Sequence, residues 1–168
     1  MKLSLYQIDA FAGKLFGGNP AAVIPLTTWL DDVLMQQIAL ENNLSETVFI
    51  VPAAKSDADY EIRWFTPEVE INLCGHATLA TAHIFYTELG YTNEEIVFNS
   101  LSGLLKVSRK AANTYTLDFP ADKLHAVTDA PDAIFEGLNV GAVPVFKSSF
   151  DYMLVLHSQQ EVEALKPD

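Results

Sequence analysis

The sequence is poor in cysteine, in positive charge and in long apolar runs. Cys74 is its one cysteine in 168 residues, so an internal disulfide is excluded and a metal site built on cysteines is not expected. Ten basic side chains stand against 22 acidic ones, for a net charge of −12. A surface of that sign repels nucleic-acid phosphates and anionic lipid, so neither is expected as a partner. No run approaches the roughly 18 apolar residues of a membrane span. The start, Met1-Lys2-Leu3-Ser4-Leu5-Tyr6-Gln7-Ile8-Asp9, lacks the apolar centre of a secretion signal. A soluble, cytoplasmic protein is expected. Also missing are a GxxxxGK loop, a GxGxxG fingerprint, a His pair at i,i+4 and any cluster of Cys or His. Nothing calls for a nucleotide, a flavin or a metal, and no cofactor is expected.

What is present suits a packed domain. Apolar residues make up 49% of the chain, with 10 Phe and 6 Tyr, enough for a sizeable core. Alternation over Leu3 to Ile8 predicts a first strand. Gly13, Gly17, Gly18, Asn19 and Pro20 mark Ala12 to Pro20 as a loop. Ala21 to Ile24 reads as a short strand. Asp31 and Asp32 open a helix carrying Val33, Leu34, Ile38 and Leu40, which stops near Asn42-Asn43. Thr47 to Val51 and Tyr60 to Phe65 read as strands, with a polar turn from Pro52 to Asp59. Gly75 to Leu89 is the strongest helix, closed by Gly90. Its apolar residues surround the axis, the pattern of a buried helix. A sheet wrapped around this helix, an α+β fold, is the economical arrangement.

Three short strands follow (Ile96 to Asn99, Leu104 to Ser108, Tyr115 to Phe119), with breaks at Ser102-Gly103 and Ala112-Asn113. Pro120 to Asp132, rich in Pro, Asp and Ala, reads as a linker. It divides a first domain, 1–120, from a partial second domain, 121–168. The second part is expected to hold a helix near Ala133 to Glu136, strands at Val143 to Lys147 and Tyr152 to Leu156, and a helical start at Gln160 to Leu165. It is too short to be stable without staples or a partner.

Polar residues gather at three junctions: Gly18-Asn19-Pro20, Asn43-Leu44-Ser45-Glu46-Thr47 and Cys74-Gly75-His76-Ala77-Thr78. Glu46 stands just before an apolar strand, where desolvation would raise its pKa toward that of a general acid/base. His76 lies in the first turn of the buried helix, where free N–H groups favour anions, and Gly75 lets a backbone approach closely. These groups could supply the local positive potential that an anionic substrate needs on so acidic a protein. Cys74 could be a nucleophile with His76 as its base, but a lone free cysteine is more often a small buried apolar residue. His83, further along the same helix, reads as packed. His125 and His157 are assigned no role.

The ordered set of motifs resembles the PhzF-like (phenazine biosynthesis) isomerase family. It comprises Gln7-Ile8-Asp9-Ala10-Phe11, Phe16-Gly17-Gly18-Asn19-Pro20-Ala21-Ala22-Val23, Met35-Gln36-Gln37-Ile38-Ala39, Asn43-Leu44-Ser45-Glu46-Thr47-Val48-Phe49, Ile62-Arg63-Trp64-Phe65-Thr66-Pro67 and Leu73-Cys74-Gly75-His76-Ala77-Thr78-Leu79-Ala80. The resemblance implies a diaminopimelate epimerase-like fold. In it, two similar domains each wrap a sheet, barrel-like, around a central helix, and the active site lies in the cleft between them. It implies Glu46 as acid/base and Gly75 and His76 as the pair at the helix start, with Asn19 and Ser45 lining the same region. The N–H groups after Gly75, on His76, Ala77 and Thr78, are expected to bind substrate.

The expected function is therefore a cofactor-independent isomerase or epimerase that moves a proton on a small carboxylate-bearing metabolite. The expected partners are that anion and a second copy of the chain, in a homodimer. A complete family member carries a second domain of comparable size, so this chain is expected to be a fragment or one part of an assembly. The alternative is a non-catalytic module that binds a small anion or mediates dimerisation with half a site.

Overall fold

A computed structural model describes residues 1–54, 57–111 and 113–168. Part of the expected Pro52–Asp59 turn, and Ala112 of the expected Ala112-Asn113 break, lie outside the described residues. The chain forms two compact units, Met1–Pro120 and Ala121–Asp168. The first carries β1 (Tyr6–Ala10), β2 (Asn19–Pro25), α1 (Asp32–Asn42), β3 (Glu46–Pro52), β4 (Tyr60–Phe65) and β5 (Glu70–Ile71). It continues with α2 (Gly75–Thr87), β6 (Glu95–Ser100), β7 (Gly103–Ala111) and β8 (Thr114–Asp118). The second carries β9 (His125–Val127), α3 (Asp132–Leu138), β10 (Val145–Lys147), β11 (Tyr152–Leu154) and α4 (Gln159–Glu163).

The large sheet runs β1-β2-β3-β4-β6-β7-β8, with β5 added to β4. It is mixed: β2 with β3 and β4 with β6 are parallel, and the other pairs are antiparallel. Helix α2 touches β1 and β8, the two ends of the strand order, as well as β2 and β3. The sheet therefore curls around α2. Ala77, Thr78, Ala80, Thr81, Ala82, Ile84, Phe85 and Tyr86 of the helix are all buried, as its all-round apolar pattern requires. The two buried threonines return their hydroxyls to the helix backbone, Thr78 Oγ1 to the Cys74 carbonyl at 2.6 Å and Thr81 Oγ1 to the Ala77 carbonyl at 2.8 Å. Neither hydroxyl is left unsatisfied in the core.

β2 and β3 read as near-continuous apolar runs because both of their faces are covered. Val23, Val48 and Ile50 pack with α2, and Ile24 and Phe49 pack with Met35 and Ala39 of α1. The parallel pairing of β2 and β3 needs a crossover, and α1 supplies it. Asp31 caps α1 by accepting the Val33 N–H at 3.0 Å, and Asn43, at φ 50°, ends it. The buried face of α1 differs from the expected stripe: Met35 and Ala39 are buried, while Val33 and Leu40 are exposed. The helix is rotated so that Gln36 reaches the turn after β4, donating to the Thr66 and Pro67 carbonyls at 2.8 and 3.1 Å.

Several boundaries also move. The first strand starts at Tyr6 rather than Leu3, and β2 starts at Asn19, inside the expected loop. The short strands β5 and β9 carry too few residues for an alternation to show. In the second unit a three-stranded antiparallel sheet, β11-β10-β9, stands with two short helices. Among its described residues only Val145 is buried, so its core is small. No helix among the described residues is long and apolar enough to cross a membrane.

Candidate active site

Because β2 and β3 are parallel, with Ala21 opposite Glu46, the start of one lies beside the start of the other. Asn19 opens β2 and Glu46 opens β3. Ser45, just ahead of β3, donates its hydroxyl to Asn19 Oδ1 at 2.8 Å. That bond fixes the Asn19 carboxamide with its oxygen toward Ser45, so its NH2 is turned away from the hydroxyl. The start of α2 comes to the same end of the sheet. Its second residue, His76, places Nε2 2.9 Å from Glu46 Oε2.

The Glu46 and His76 side chains are 14% and 10% exposed, so the pair is largely withdrawn from water. The approach at 2.9 Å is close enough for an ion pair but lies off the line of a good ring N–H bond. Neither atom has a hydrogen-bond partner among the described residues. On its other side the imidazole presents Nδ1 to Cys74 Sγ at 3.4 Å. One donor atom from each of Glu46, Cys74 and His76 lies within 4.8 Å of the other two. Sequence spacing showed no such cluster, because Glu46 is far from Cys74 and His76 along the chain and only the curl of the sheet unites them.

Cys74 occupies the N-cap position of α2 in extended backbone, φ −144°. Burial pushes its thiol up to about 12 against the lesser pull of the Ala77 and His76 N–H groups, and the neighbouring Glu46 carboxylate adds to the rise. The thiol is therefore neutral near pH 7, which agrees with a buried residue and opposes its use as a nucleophile. Its folded value lies above the ordinary 9.0. The stability it contributes is thus complete below pH 9.0 and is lost as pH rises toward 12. At pH 8 the native thiol is expected to react with a disulfide reagent about a thousandfold more slowly than in the urea-unfolded chain. Absorbance of the released chromophore checks this, and equal rates would contradict it.

The remaining expected residues divide. Ala77 and Thr78 are fully buried. The Thr78 N–H is held by the Cys74 carbonyl at 3.2 Å, while the Cys74 side chain makes no cap bond to the N–H groups of the first turn. The Thr78 N–H is thus taken by the first intrahelical bond, while the N–H groups ahead of it in the first turn have no intrahelical partner. Gly75 is not required by the fold. A Cβ built there meets the Phe119 ring at 3.6 Å, an ordinary contact. His83 packs against β8, its Nδ1 2.9 Å from Tyr115 Oη, and burial lowers its pKa.

A family model described as phenazine biosynthesis-like protein matches residues 8–168. The chain belongs to the PhzC–PhzF family. It is 45% identical over all 168 residues to an uncharacterized isomerase of Pseudomonas aeruginosa, and it covers 62% of that protein. The crystal structure of a PhzF-family phenazine biosynthesis protein from Enterococcus faecalis superposes on all of this chain and 62% of that one, with a TM-score of 0.86 and 42% identity. A hydroxyproline epimerase of Agrobacterium vitis shares the fold alone, with 13% identity and a TM-score of 0.59, over 87% of this chain and 48% of that one. The chain thus spans 62% of the length of the PhzC–PhzF relatives it matches in full, within an α+β, epimerase-like fold.

Further side-chain contacts tie together the elements that carry these residues. The Arg63 guanidinium grips the Glu70 carboxylate at 2.7 and 2.6 Å and Asp32 at 2.8 Å. It also lies over the Trp29 and Phe65 rings at 5.4 and 5.2 Å. These contacts tie the start of α1 to β4 and β5. Asn42, at the end of α1, donates to Thr47 Oγ1 at 3.1 Å and so steadies the turn that delivers Ser45 and Glu46.

Proposed function

We propose that the chain carries half of the active site of a cofactor-independent isomerase, and that Glu46 moves a proton between two carbons of a small carboxylate-bearing metabolite. The observation that carries this reading is the largely buried Glu46–His76 contact at 2.9 Å, at the start of α2. Glu46 Oε2 faces His76, and the other carboxylate oxygen would take the proton from an activated carbon. The electron pair left behind delocalises toward the substrate carboxylate. His76, as a donor, would stabilise that developing charge. The same proton then returns to a second carbon, so the reaction is redox-neutral and balanced.

Two further facts support the reading. Relatives as similar as 45% are named isomerases. The fold leaves room for a Cβ at position 75, so glycine there is consistent with close approach of a ligand. Gly75→Ala is therefore expected to keep or raise stability by up to ~1 kcal/mol, because alanine is the better helix residue, while turnover falls. Thermal melts read the first effect and isomerisation the second. Unchanged turnover would remove Gly75 from the site.

The reaction has a direct test. Small carboxylates carrying an acidic C–H are incubated with the chain in D2O, and deuterium uptake is followed by NMR. Uptake that depends on Glu46 supports the isomerase reading. The second reading is a small-anion-binding module, with the start of α2 as the place where an anion would sit. It predicts carboxylate binding with no deuterium uptake.

A further inference from the structure

We infer that Glu46, Cys74 and His76 form a binding site for a soft divalent cation of the Zn2+ type. The inference rests on donor geometry and not on the isomerase reading. The three side chains offer one oxygen, one sulfur and one nitrogen within 4.8 Å of one another. A tetrahedral zinc ion, with bonds of ~2.3 Å to sulfur and ~2.0–2.1 Å to nitrogen and oxygen, needs donors roughly 3.3–3.6 Å apart. Cys74 Sγ stands 3.4 Å from His76 Nδ1, and Glu46 Oε2 stands 2.9 Å from the other ring nitrogen, Nε2. One ion takes one ring nitrogen, so the imidazole or the carboxylate must turn to close the set.

The hydrogen bonding of the same donors points the same way. His76 is nine-tenths buried. Its Nε2 and Glu46 Oε2 are buried polar atoms without a hydrogen-bond partner among the described residues. Such atoms are costly unless something binds them. The donor set selects the class of ion. Sulfur and imidazole favour zinc and other borderline-soft metals over magnesium and calcium, which prefer oxygen. On binding, the thiol gives its proton to solvent. The thiolate and the carboxylate, two anions that are unfavourable side by side in a desolvated place, are then balanced by the dication. Three protein donors leave a fourth position for water or an anion. If Glu46 is the proton carrier proposed above, the bound ion occupies it and blocks deuterium uptake.

The test is titration of the metal-free chain with Co2+ and with Zn2+. One Co2+ per chain is expected, with visible bands of tetrahedral intensity and a near-ultraviolet sulfur-to-cobalt transition that Zn2+ displaces. Calorimetric Zn2+ affinity is expected to fall by ~10-fold or more in Cys74→Ser and in Glu46→Gln. Circular dichroism checks that both variants fold. The wild-type cobalt spectrum needs no variant and decides the question if one of them does not. No binding, binding without the sulfur transition, or equal affinity in a folded Cys74→Ser would each overturn the inference. A cobalt spectrum without deuterium uptake in the earlier test would leave the metal site standing and remove the isomerase. Uptake without cobalt binding would do the reverse.

Discussion

Glu46→Gln is expected to lower deuterium uptake and turnover by about 10²–10⁴-fold, the usual worth of a positioned acid/base. Glutamine has nearly the same shape and can still lie against His76, but at working pH it cannot take and return a proton. The fold should survive, since the change removes a largely buried negative charge beside Cys74 and leaves no cavity. The same variant has a second readout that needs no substrate. Glu46 contributes, after burial, to raising the Cys74 thiol, so Glu46→Gln should bring that thiol down and speed its modification. Burial remains the larger cause, and the thiol should stay well above its ordinary value. Full isomerisation by the folded variant would remove Glu46 from the chemistry. An unchanged thiol would say that the carboxylate and the sulfur are not coupled as the geometry requires.

The second large effect is expected at Gly18, ahead of Asn19. Gly18 sits at φ +83°, and a Cβ there would collide with the Ala10 carbonyl oxygen and crowd Ala12. The obstacle is backbone, which cannot swing aside as a long side chain can. Gly18→Ala therefore combines left-handed strain with overpacking, about 2–5 kcal/mol together. Ala10 pairs with Asn19 where β1 meets β2, so any relief must shift the residue that Ser45 holds. A drop in the urea midpoint together with weaker carboxylate binding is the expected result. A variant as stable as the parent would show that the loop between β1 and β2 relaxes freely.

Much of the architecture could be read without coordinates. The all-round apolar character of Gly75 to Leu89 identified a buried central helix, because no other environment suits such a surface. β-Branched and aromatic runs located β3 and β4 to within a residue or two. The face of α1 was misjudged for an identifiable reason. Val33 and Leu40 are more apolar than Gln36, but Gln36 has a tertiary appointment with the Thr66-Pro67 turn, and that sets the helix rotation. Cys74 was rightly taken as a buried residue. Its closeness to Glu46 could not be foreseen, since no local pattern links those positions.

The amino-acid sequence alone determined the family, the helix that must be inside, and the three junctions where polar residues collect. These depend on neighbours a few positions apart and on which side chains avoid water. Only the tertiary structure decided that the junctions meet. The parallel pairing of β2 with β3 puts Asn19 beside Ser45, and the closing of the sheet around α2 carries His76 to Glu46. It also decided that the Thr78 N–H is held by the Cys74 carbonyl while the Cys74 sulfur joins the cluster. Such contacts depend on strand register and sheet curvature, which come from the packing of the whole unit.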